Sequence, residues 1–365
     1  MGNAPSSSDN SSNNSGTGDE LFVKTPPPFG MMVFPVGLLW HWFTRRCNLL
    51  VASWPDSDSS AEPVASLVVG GLNALYFADM LNRQILKLSL ATGKTEVVYE
   101  DAEDFISGLG WLPDGRMLFV SMERFQVREV DPQTGTSRVY ADMAHVSKFR
   151  SNDMVVSTSG RAYVGNFGFN HGEFSNCSST TLVSVSPDNQ NVRVETTKLL
   201  FPNGAVITPD GKTLIVGETF AGRLTAFDIG EDGALSNRRV WATVGGPVDG
   251  ICLDAEGCVW VSMPQVGMYS GTGGALVRVK EGGEILNLFG LQRNGIKGGV
   301  YACQLVTRAD GEHHLYFLEA ETSMDTVIFA AGHDKPTHKS ELKSIRVAVG
   351  PALMPSNPNY SGGYC

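Results

Sequence analysis

Charge is scarce in this chain. Only 18% of its 365 residues are Asp, Glu, Lys or Arg, and 28 basic side chains face 38 acidic ones. A net charge of -10 leaves little to neutralise phosphates, which argues against nucleic acid as a partner. Histidine is rare at 7 residues and cysteine at 6. Cys47, Cys177, Cys252, Cys258, Cys303 and Cys365 form no CxxC pair and have no His at ligand spacing, so a structural zinc site is not expected. They read as reduced, buried thiols, and Cys252 and Cys258 are the one pair placed to face each other across a tight turn. A long apolar run is missing too. The stretch FGMMVFPVGLLWHWFTRRC, residues 29–47, is apolar over about 15 residues, short of the ~20 that a spanning helix needs, and Pro35 and Gly37 interrupt it.

The chain does not start with a basic segment and an apolar core, so no secretory leader is expected. Residues 1–28 are rich in Ser, Asn, Gly and Pro, and such a tail buries too little surface to offset its ordering entropy. It is expected to be disordered. Its first six residues, MGNAPS, match the N-myristoylation pattern with Gly2 as acceptor. One acyl chain gives weak, reversible membrane association, so the expected location is the cytoplasm with a membrane-associated fraction. Residues 29–61 form an atypical hydrophobic segment. It reads either as a strand covering the domain or as a membrane-surface anchor, with Arg45 and Arg46 at the headgroups and Cys47 as a second acylation site.

What the chain has in quantity is glycine, 41 residues, with 18 prolines. From residue 62 onward the glycines keep time. VVGGLNALYFAD, WLPDGRMLFVSM, VSTSGRAYVGNF, TPDGKTLIVGET, LDAEGCVWVSM and TRADGEHHLYFLE each place a Gly-ended turn before a short β-rich run. The turn glycines are Gly71, Gly115, Gly160, Gly211, Gly257 and Gly311, spaced by 44, 45, 51, 46 and 54 residues. That period is the mark of propeller blades of about four strands each. QILKLSL, QVREVDP, TLVSVSP, RLTAFDI and ALVRVKE follow at similar offsets with alternating polarity. The expectation is an all-β, six-bladed β-propeller over 62–350, with a C-terminal tail at 351–365.

One register carries polar side chains. Eight residues before each turn glycine stand Ser107, Asn152, Asn203, Asp249 and Cys303. In a propeller the first strand of each blade lines the central channel, so these positions converge near the axis. A single Asn or Asp there is ordinary turn chemistry, whereas three oxygen donors in one register point to a site. Carboxylate and amide oxygens without His or Cys are hard donors. Calcium is the first expectation, with magnesium, manganese and zinc as alternatives. The first blade places Pro63 in this register, and its neighbour Glu62 is the candidate fourth donor. Arg150, two residues before Asn152, is the candidate for holding a polar or anionic group of a substrate. Glu218 is a lesser rim candidate.

The segments SNDMVVSTSGRAYVGNFGF, FPNGAVITPDGKTLIVGETFAGRLTAFDI and PVDGICLDAEGCVWVS resemble the senescence-marker-protein, gluconolactonase and luciferin-regenerating-enzyme family of six-bladed propellers. The resemblance covers roughly 62–350. It implies one divalent metal at the channel mouth and hydrolysis of sugar lactones. It implies Glu62, Asn203 and Asp249 as metal ligands, Asp249 also as general acid/base, and Arg150 and Asn152 as substrate contacts. The chain departs from the family's first-blade motif, E-G-P-x-W: AEPVASLVVGG keeps Glu-Pro but lacks the Gly and the Trp. The expected function is metal-dependent hydrolysis of a small lactone-like molecule. The same ligands would serve a phosphotriester hydrolase or a non-catalytic calcium-binding propeller.

Overall fold

The computed structural model describes residues 64–69, 74–80, 82–169, 178–264, 273–291, 294–320 and 340–352. Gly2, the tail 1–28, the segment 29–61, Glu62, Gly71 and the last residues of the chain lie outside the described residues.

Six antiparallel sheets follow one another along the chain, at 64–100, 106–142, 151–199, 202–243, 251–290 and 299–347. Their first strands are Val64–Val69, Ile106–Trp111, Ser151–Val156, Pro202–Ile207, Ile251–Leu253 and Gly299–Thr307. Each first strand touches the next around a ring, and the sixth touches the first, so the propeller closes. Five sheets have four strands, and the sixth has three among the described residues. The turns between first and second strands are those expected. Gly115, Gly160, Gly211, Gly257 and Gly311 all take positive φ, between 71° and 89°, where a Cβ is strained. In each turn the glycine N–H donates to a carbonyl three residues earlier, at 2.8–3.0 Å.

Burial follows from blades packing face to face. The first strands of blades two to five are buried at every position. The alternation expected of third strands is broken in Gln84–Ser89, where Ile85 and Leu86 are both buried, and is absent from Ala275–Val279, which is buried throughout. A sheet covered on both faces has no solvated side for polar residues. Phe119 of blade two, Tyr163 of blade three and Phe227 of blade four share one apolar cluster, which ties three blades together. Cys252, Cys258 and Cys303 are buried thiols. They are reduced, as expected, but Cys252 does not face Cys258. Cys252 Sγ lies 3.9 Å from Cys303 Sγ instead, because the first strands of blades five and six are neighbours in the ring.

The site depends on one local irregularity. In blades two, three and four the first strand carries a β-bulge, two residues opposite one, at the same place. Ser107–Gly108 stand opposite Val120, Asn152–Asp153 opposite Gly165, and Asn203–Gly204 opposite Gly217. A bulge breaks side-chain alternation and re-aims the residues in it. Blade five reaches the same end differently: Asp249 and Gly250 precede its short first strand and lie off the ladder. Close contact between these segments requires glycine. A Cβ on Gly108 would meet Met154 N at 2.4 Å, and one on Gly204 would meet Ile251 N at 2.7 Å and Asp249 O at 2.8 Å. All three atoms are backbone, so neither contact is relieved by a rotamer change. Gly204→Ala is expected to cost about 2–3 kcal/mol through overpacking, measured by urea unfolding. A loss below about 0.5 kcal/mol, the level of an ordinary surface change, would contradict the close-packed junction.

Candidate metal centre

Asp249 precedes the first strand of blade five, and backbone bonds to its own blade act with side-chain and cross-blade bonds to set its position. Thr219 Oγ1 donates to the carbonyl of Val248 at 2.7 Å. The Asp249 N–H donates to Ser262 O at 3.0 Å, and the Gly250 N–H donates to Tyr301 O at 2.8 Å. Ser262 Oγ lies 2.7 Å from the carbonyls of both Gly250 and Tyr301. The Asp249 backbone is therefore clamped between blades four and six.

Three polar side chains meet there. Asn203 is buried and its amide hydrogen-bonds the Asp249 carboxyl. Asp153 is buried and close enough that its charge repels that of Asp249. Burial first, and Asp153 second, hold the Asp249 carboxyl well above the ordinary carboxylate range; the Asn203 amide and the Gly250 N–H offset part of this. Burial alone pushes Asp153 up to about 7. Asp249 keeps some exposed surface, but protein encloses it closely enough to strip its carboxyl of water, and desolvation governs its protonation. No Lys, Arg or His among the described residues pairs with either carboxyl.

Asn152 is buried beside Asp153 in the blade-three bulge, and its carbonyl accepts from Ser107 Oγ at 2.9 Å. Ser107 thus braces the neighbouring blade instead of facing the site as a ligand. Cys303, the sixth-blade member of the register, supplies a buried sulfur against Gly250 O at 3.7 Å. Arg150 is half-buried, ion-paired with Glu123, and its guanidinium lies 5.7 Å over the Phe105 ring. Glu218 is no rim residue. It is fully buried, paired with Arg223 at 2.9 Å and Arg238 at 3.2 Å, and accepts from Leu200 N–H at 2.9 Å. Glu62 lies outside the described residues.

Reading the register eight residues before each turn glycine missed Asp153. The signal was one column further on. There blades two to five read Gly108, Asp153, Gly204 and Gly250, and blade six reads Gln304; a buried carboxyl where three neighbouring blades have glycine has no structural motive.

The donor set fits a hard cation. Two buried carboxyls without a positive partner, flanked by an amide, form a negative site that a divalent ion would neutralise. Among the described residues no three His, Cys, Asp or Glu side chains cluster, so this is not a closed thiolate or imidazole site. Asn203 and Asp249 would hold such an ion, with Asp153 and Asn152 beside them.

With a folded value near 7 against an ordinary 3.8, Asp153 keeps its proton in the folded chain where the unfolded chain has lost it. Its contribution to stability is full below about pH 4 and is lost as pH rises through about 7. In chelator-treated protein, Asp153→Asn should therefore gain stability relative to wild type as pH rises from about 4 to about 8, read from urea midpoints. A difference that stays constant with pH would contradict the assignment.

Known proteins share the fold. A sequence model of the SMP-30/Gluconolactonase/LRE-like region matches residues 66–291, well over half of the chain. Among solved structures, a gluconolactonase from Xanthomonas campestris is similar, at 23% identity and TM-score 0.53, covering 69% of this chain and 83% of that one. A luciferin-regenerating enzyme is similar at 16% identity and TM-score 0.57, covering 70% and 83%. A calcium-binding protein, regucalcin, from Agrobacterium tumefaciens is similar at 18% identity and TM-score 0.56, covering 79% and 94%. At these identities the solved structures share the fold.

Proposed function

This chain belongs to the SMP-30/Gluconolactonase/LRE-like family, and from that premise we propose that it is a divalent-metal-dependent hydrolase of small cyclic esters, sugar lactones first among them. The observation that carries the reading is the meeting of Asp249, Asp153 and Asn203 in a buried setting with no cationic side chain beside the two carboxyls. The similarity to a gluconolactonase and to a calcium-binding propeller points the same way.

When bound, a divalent cation supplies charge that polarises the ring carbonyl of the lactone and stabilises the negative charge developing on it. Everything else falls to the chain. Asp249, whose proton affinity is raised by burial, takes the proton of the attacking water and returns it to the ring oxygen as the acyl–oxygen bond breaks. The charge of Asp153 favours the protonated form of Asp249, and so couples catalysis to pH. Asn203 holds the amide oxygen in place as a neutral donor. Asn152 and Arg150 hold hydroxyls of the substrate. The guanidinium of Arg150, braced by Glu123 and Phe105, loses little freedom when it binds.

Chelation is expected to abolish hydrolysis of an aldonolactone panel, and calcium or manganese to restore it. Asp249→Ala should lower kcat/KM at least about 100-fold, the usual scale for a lost general base. Unchanged turnover in either experiment would reject the reading. Tight cation binding with no hydrolysis of any lactone would leave a binding propeller in its place.

A further inference from the structure

Thr219 follows the second strand of blade four, Thr213–Glu218, and opens a single 3-10 turn, Thr219–Ala221. It is 3% exposed. Its hydroxyl makes two hydrogen bonds. It donates to the carbonyl of Val248 at 2.7 Å, and it accepts from Asn203 Nδ2 at 3.1 Å. Val248 is the residue before Asp249.

The direction of these bonds is forced. A threonine hydroxyl has one proton. A carbonyl only accepts, so that proton is committed to Val248. A lone pair is what remains toward Asn203, and the NH2 end of the amide is the end that can meet it. The flipped amide would set Oδ1 against the hydroxyl oxygen with no proton between them. This holds whichever way the amide is first drawn, because it follows from the carbonyl on the far side. The Asn203 oxygen is thereby turned away from Thr219. It accepts the Gly204 N–H at 2.9 Å and keeps a second lone pair for another partner.

The hydroxyl is itself held in place. The Thr219 N–H donates to Phe201 O at 3.1 Å. Phe201 takes a left-handed φ of 57°, an uncommon conformation for a bulky residue. Its ring packs against Phe167 at 4.7 Å, Phe220 at 5.2 Å and Phe169 at 5.6 Å between centroids. A rigid aromatic cluster thus fixes the backbone that carries the hydroxyl, and the hydroxyl links a side chain of blade four to the segment that carries Asp249.

We propose that Thr219 is a positioning residue of the metal centre. It sets the amide of Asn203 with the oxygen free to bind a cation, and it holds Asn203 and Asp249 as one unit across the blade junction. The proposal rests on the reading of those two residues as cation ligands. Partners that orient a metal ligand typically account for 10–100-fold in affinity when removed.

The test is calorimetric titration of chelator-treated, full-length protein with calcium chloride. Thr219→Val keeps the shape and removes the hydroxyl, and it should weaken calcium binding about 10-fold or more. Thr219→Ser restores the hydroxyl and should recover most of the loss. Near-UV circular dichroism of the metal-free variants checks the fold, and Thr219→Ala replaces the valine variant should that one pack poorly. Wild-type protein that binds no calcium or manganese would overturn the metal-centre reading, and this proposal with it. Wild-type binding matched by Thr219→Val would overturn the positioning role alone. Serine as weak as valine would show that restoring the hydroxyl does not restore binding, and would equally overturn it.

Discussion

Asp153 and Asp249 bring two carboxyl groups together inside a protein that offers neither of them a positive side chain among the described residues. That constraint organises the rest. Burial raises the proton affinity of both acids, and the charge of Asp153 raises that of Asp249 further; a protein that stores such a conflict gains nothing in stability from it. A divalent cation removes the conflict at once. On the proposed function the strain is the metal-free half of a metal centre, whose cost is borne by the large apolar contacts between blades.

Holding the two acids together demands rigid backbone from three blades. Bulges at Ser107–Gly108, Asn152–Asp153 and Asn203–Gly204 turn the first strands at one height. Gly108 and Gly204 let adjacent strands come closer than any side chain would allow. Ser262, Thr219 and Tyr301 fix the Asp249 segment where pairing stops. The second strands end in buried polar residues that brace the same loops. Ser121 bonds Asp104, Asn166 bonds Thr180, and Glu319 accepts from the backbone of Lys297 and Gly298 at 2.6 Å. Blades two to four share one bulge, and blade five reaches the same place through the segment before its first strand.

Much of this was legible in the sequence, because turn glycines must take positive φ and recur with the blades. Gly115 to Gly311 marked five turns, and counting back from them found Asn152, Asn203 and Asp249. What failed depends on partners distant in sequence. Glu218 looked like a rim acid, but Arg238, twenty residues on, captures it. Cys258 looked placed to face Cys252, but the ring brings Cys303 beside it from the next blade. Asp153 was hidden because a one-column register assumes strict alternation, and the bulge breaks that rule at this position.

Anomalous diffraction from crystals soaked in manganese tests the central claim most directly. The account requires one ion bonded to the Asp249 carboxylate and to Asn203 Oδ1, with Asp153 beside it. Oxygen distances should fall at about 2.1–2.6 Å, the range of hard divalent cations. An ion bound elsewhere, or none at all in protein that still hydrolyses lactones, would contradict it.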